Sequence, residues 1–149
     1  MSARARRCEL ADRGSAVIEF IVIGVLVLVP LAYISMCVMR VQAATVASSL
    51  AVREAGRAFV TADTVPDARA RAVTAARLAL VDQGFELPAR ALSLRCSSGG
   101  CLQPESSVHV ELTWSVDLPW LPQFLGEERT EIPITAQRTM PVDTYRGDQ

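Results

Sequence analysis

From residue 20 to residue 39 the side chains are apolar apart from Ser35 and the amphipathic Tyr33, and Glu19 stands immediately before them. Twenty residues at helical rise cover roughly 30 Å, the thickness of a bilayer's hydrocarbon core. The run therefore reads as one membrane-spanning helix, and whatever else the chain folds into has to begin beyond it. Pro30 would kink a helix in water, but in lipid the carbonyl it frees is satisfied locally. Upstream, Arg4, Arg6, Arg7 and Arg13 outweigh Glu9 and Asp12. Basic flanks stay in the cytoplasm, which places the C-terminal bulk outside. A carboxylate at the threshold of such a helix is costly and asks for a partner.

Three fates fit the segment. A plain signal anchor leaves Glu19 at the headgroup level with no role. A secretory signal peptide would be cut after Val41-Gln42-Ala43, a small-residue site, and would release a domain starting at Ala44. Against it, the apolar run is too long for a signal peptide and Arg40 sits awkwardly before the cut. The third fate explains the acid. Counted from Gly14, Ser15 is the first residue, Glu19 the fifth and Phe20 the sixth. A short basic leader ends in Arg13-Gly14, an acid follows at the fifth position, and about twenty apolar residues come next.

That constellation resembles the class III signal of type IV pilin-like proteins. Residues 14–20, GSAVIEF, are most similar to the TadE-like family, the minor pilins or pseudopilins of the tight-adherence (Flp) pilus system. The resemblance is strongest over residues 13–40 and weaker beyond. Phe20 stands where major Flp pilins usually carry tyrosine, and major Flp pilins are much shorter, so the likeness is to a minor component. The resemblance implies a leader over 1–14 removed by prepilin peptidase, an assembly helix over 15–40 and an extracytoplasmic pilin-like domain over 41–149. It implies that cleavage frees the Ser15 amino group, and that Glu19 neutralises the amino terminus of a neighbouring subunit. Such a pair is far stronger in low dielectric than in water. It relieves the desolvation of both ions, although it need not be stabilising overall. The implied partners are prepilin peptidase, the membrane platform of the tight-adherence system, and major and minor pilins. The implied place is a single-pass membrane protein, N-terminus in the cytoplasm, or the extracellular pilus. The alternative from another class is an envelope-anchored binding protein that is never cut.

Beyond Arg40 the helical pattern continues to Val60, with small residues at Ala43, Ala44, Ala47, Ser48, Ala51, Ala55 and Ala58. This stripe allows close approach, either of neighbouring subunits or, the commoner case, of the protein's own sheet. Thr64-Val65-Pro66-Asp67 reads as a helix start, with a Thr cap, an early Pro and an acid in the first turn. The helix runs to about Gln83 and stops at Gly84, with Ala72, Val73, Ala76, Ala79 and Leu80 on its apolar face. Arg69, Arg71 and Arg77 are read as solvated. From Leu92 the period becomes two: Leu92, Leu94 and Cys96 alternate with Ser93 and Arg95. Val108, Val110, Leu112, Trp114 and Val116 alternate with His109, Glu111, Thr113 and Ser115 in the clearest strand. A last strand over 132–140 carries Pro133, which suggests an edge. The fold class is α+β: a long N-terminal helix, half in the membrane and half exposed, a second helix, and a small antiparallel sheet.

Four cysteines occur, at positions 8, 37, 96 and 101, with no zinc spacing among them. Cys96-Ser-Ser-Gly-Gly-Cys101 reads as a hairpin turn closed by a disulfide in an oxidising compartment. Cys37 reads as a small apolar filler, with a bridge between subunits as the lesser reading. Residues 117–126, around Trp120 and Phe124, form the most apolar loop outside the membrane, either a partner patch or a lid over the core. A net charge of −1 with no basic stripe argues against nucleic acid. No catalytic motif, phosphate loop, cofactor fingerprint or metal spacing is present, so neither an enzyme nor a metal site is expected. His109 reads as a surface residue.

Overall fold

The computed structural model of the chain describes residues 3–97, 100–117 and 131–144, with side chains described from Ala16 onward. The order is α1 (Ala3–Val60), α2 (Val65–Val81), β1 (Leu92–Cys96), β2 (Ser107–Asp117) and β3 (Glu131–Pro141). This is the α+β class that the periodicities indicate. The apolar loop around Trp120 and Phe124 lies outside the described residues, as does the end of the chain from residue 145.

The chain divides into two units, Met1–Val38 and Met39–Gln149. The first is the apolar part of α1. Its large aliphatic side chains from Val17 onward are exposed. Its apolar stretch is long enough to cross a membrane, which is consistent with a single-pass anchor. Pro30 lies inside α1 without ending it. The helix also begins at Ala3, upstream of residue 15, where the assembly helix is expected to start.

The second unit holds the core. Ala44, Ala47, Ser48, Ala51 and Ala55 of α1 are all fully buried, together with Phe59. The small-residue stripe therefore packs within this domain, and those five positions are not a face for neighbouring subunits. From α2 come Ala68, Ala72, Ala76 and Leu80, an exact four-residue repeat. Val73, read from the sequence as part of that face, is 38% exposed. Contact through alanine leaves only a narrow line of the helix covered, and Val73 falls outside it. The helices thus bring small side chains, and β2 supplies bulk through Val108, Val110, Leu112 and Val116. Each of these contributes about 1.5–3 kcal/mol by burial.

Local signals fix the ends of α2. The Thr64 side chain accepts from the Asp67 N–H as N-cap. At the other end Gly84 takes φ +75°, the Phe85 N–H reaches the Leu80 carbonyl and the Gly84 N–H the Val81 carbonyl. This is a Schellman closure, and the left-handed position suits glycine.

The sheet is antiparallel in the order β1-β2-β3. Leu94 pairs with Val110, and Val110 with Arg138 on the other side. Hydrogen bonding alternates along such ladders. The Val142 N–H bonds the Ser106 carbonyl, whereas the Thr113 N–H bonds Ala91 and the Ser97 N–H bonds Ser107. Even positions of β2 and β3 are therefore bonded to each other, and odd positions of β3 turn their N–H outward. Pro133 and Pro141 are both odd, so neither removes a ladder bond.

Helix α1 and strand β2 run in opposite directions. Trp114 meets Ser48, and Gly56 lies against Val110 and Met140. Eight residues along the helix and four along the strand both cover about 12–13 Å.

Candidate functional site

Glu19 belongs to the first turns of the apolar helix. It is exposed, as is Phe20 beside it at 79%. Among the described residues Glu19 forms no ion pair. Gly14 and Ser15 lie within α1, upstream of the described side chains. Ser15 and Glu19 are four residues apart on one helix, hence on one face about 6 Å apart along the axis. Chemically, the segment offers one carboxylate in an otherwise apolar surface. A carboxylate there takes a cation or a hydrogen-bond donor from elsewhere, because burying it alone in lipid is costly.

Arg40 is the first charge beyond the apolar run. Its guanidinium lies 5.0 Å from the centre of the Phe85 ring, a cation–π distance. Phe85 in turn meets Trp114 edge-on, at 5.3 Å and 72°. The Trp114 Nε1–H donates to Ser48 Oγ at 2.8 Å, and that hydroxyl donates to the Ala44 carbonyl at 2.7 Å. Arg40, Phe85, Trp114 and Ser48 thus join the base of the domain helix, the turn after α2 and the middle strand. The sequence reading did not bring these four together. Trp114 on a buried strand face did carry a signal, because a buried indole N–H needs an acceptor, but nothing local names Ser48.

Cys96 and Cys101 form a disulfide, with Cα atoms 4.9 Å apart. The bridge does not close a tight hairpin, however. Strand β2 starts only at Ser107, so the staple closes the first half of a longer connection. Its second half is fastened by Ser106, whose hydroxyl and N–H both donate to the Gln103 carbonyl. Cys37 is a free thiol, half-buried against its own helix.

Of the arginines on α2, Arg71 pairs with Asp67 at 2.8 Å. Both are well exposed, so the pair contributes little. His109 Nδ1 lies 3.1 Å from Thr139 Oγ1 on the outer face of the sheet. Among the described residues no three metal-ligating side chains cluster. Comparison with models of known families, with curated proteins and with solved structures finds no match.

Proposed function

We propose that this chain is a TadE-like minor pilin or pseudopilin that takes part in assembling a tight-adherence (Flp) type IV pilus, and through it in adhesion or secretion. The observation that carries the reading is Glu19: a lone exposed carboxylate at the head of an apolar helix, five positions after Gly14. Prepilin peptidase cuts after Gly14 in this reading, and the N-terminal ammonium of a neighbouring pilin supplies the partner Glu19 lacks. Gly14 helps, since glycine disfavours helix by about 1 kcal/mol relative to alanine, and a peptide bond must leave its helix to be cut. The N-terminus faces the cytoplasm and the domain over 41–149 lies outside, where a disulfide persists. The membrane platform of the same system and the major and minor pilins are its partners. The domain has no catalytic role in this scheme.

The test is the N-terminal residue of the protein extracted from membranes of its native host, read by mass spectrometry. The chain contains no lysine, so its α-amino group is the only primary amine, and an amine-selective tag marks the terminus directly. A start at Ser15 is the expected result. A start at Met1 or Ser2 means an uncleaved envelope anchor, and a start at Ala44 a secreted domain; either overturns the reading. Glu19→Ala is expected to abolish piliation while leaving the level of processed protein unchanged. Full piliation in that variant would remove the assembly role of the carboxylate.

A further inference from the structure

Strand β3 is an edge strand whose outer side nothing pairs with among the described residues. Its outward N–H groups are those of the odd positions, as the Val142–Ser106 bond fixes. Pro133 and Pro141 have no N–H to offer, so between them the open backbone comes down to Thr135, Gln137 and Thr139. Edges are commonly blunted by proline. Here two prolines bracket a window of open strand and leave it free.

A groove of about 160 Å³ runs beside this window, lined by Thr45, Ser49 and Val52 of α1 and by Thr135, Gln137 and Arg138 of β3. The Thr45 and Ser49 hydroxyls already donate to the Val41 and Thr45 carbonyls. Toward the groove they therefore offer lone pairs, the complement of a peptide N–H. On the helix-packed side the charge beside the groove is basic; on the other face of the sheet Glu111, opposite Gln137, lies 4.0 Å from the Arg95 guanidinium. Arg138 is exposed on the helix-packed side of β3, and Arg53 continues the Thr45, Ser49 row of α1 at four-residue spacing, also exposed. Neither forms an ion pair among the described residues. Among the described residues no acid lines the groove, and Glu54 falls on the opposite flank of α1 by helical periodicity.

We propose that the outer edge of β3 and this basic groove form a docking site for a short, extended, acidic peptide segment of a partner protein. The segment adds as a fourth strand across Thr135, Gln137 and Thr139, and its alternate side chains enter the groove. Main-chain bonds supply affinity and Arg138 with Arg53 supplies the preference for carboxylates, the division of labour usual in strand addition. The site does not depend on the pilin reading.

The experiment uses the full chain in detergent micelles and two blocked seven-residue probes, one alternating valine with glutamate and one alternating valine with lysine. Binding is read by fluorescence polarisation, and amide hydrogen exchange is read residue by residue. The glutamate probe is expected to bind and to slow exchange at Thr135, Gln137 and Thr139; the lysine probe is expected not to bind. Gln137→Pro removes the central outward N–H, as Pro133 and Pro141 already do at their positions, and abolishes binding while the inward amides of β3 stay protected. Arg138→Glu weakens the glutamate probe by about tenfold or more, roughly one lost charge contact. It carries the test alone if the proline variant loses its inward protection. Failure of the glutamate probe to bind, binding without protection of the three amides, or binding that survives Arg138→Glu would overturn the proposal.

Discussion

Trp114 gives its indole N–H to Ser48, and Ser48 gives its hydroxyl proton to the Ala44 carbonyl. Ser48 is fully buried, so water cannot replace it. Ser48→Ala leaves the indole donor without an acceptor, and the expected cost is about 1–3 kcal/mol, measured by urea unfolding of the full chain in micelles with an unchanged slope. Gly56 is a second sensitive point. A Cβ there would stand 2.6 Å from Met140 Cγ, so Gly56→Leu forces the helix off the sheet at a cost of about 1–3 kcal/mol or more. Gly24 is the control, since nothing lies within 4 Å of its Cβ position; Gly24→Leu is expected to leave unfolding of the domain unchanged. The sequence reveals which residue types are unusual, a Trp in a strand or a Glu before a membrane run. It does not reveal that Trp114 and Ser48, sixty-six residues apart, meet, because that pairing exists only once helix and sheet have closed on each other.

At the scale of elements, the patterns with a strict period were readable and the contacts that modulate them were not. Strand β2 declares itself because one face is buried and the other is not, so Val108, Val110, Leu112 and Val116 alternate with polar residues. The cap at Thr64 and the stop at Gly84 are equally local. Val73 misleads because its hydrophobicity suggests burial, whereas the alanine line at 68, 72 and 76 sets a contact too narrow to reach it. Val73→Gln is accordingly expected to change stability by less than about 0.5 kcal/mol. The cysteine spacing shows that Cys96 and Cys101 can meet, but not that the chain wanders on to Ser107 before pairing. Closing a six-residue loop stabilises by about 2 kcal/mol in the chain-entropy account. The double variant Cys96→Ser with Cys101→Ser should lose that much, while hydrogen exchange still reports a paired β2 and β3.

For the whole molecule, every core residue among those described lies at Ala43 or beyond. A chain beginning at Gln42 is therefore expected to fold cooperatively and to form the Cys96–Cys101 disulfide; a broad, non-cooperative transition would show that the core needs the apolar half of α1. The division into an apolar segment and a domain was legible because it is written in composition over twenty residues at a time. The candidate site was legible only as far as Glu19, since no described residue of this chain forms an ion pair with it. There is also a mechanical consequence. Within the domain, α1 from Met39 onward lies antiparallel to β2 through Ser48 and Gly56. Tension arriving along that helix loads Ala44, Ala47, Ala51 and Ala55 together, in shear against the sheet, and does not peel one strand from the next. The domain's lifetime under such a pull is then a matter of its unfolding rate, with the alanine seam as the first contact loaded.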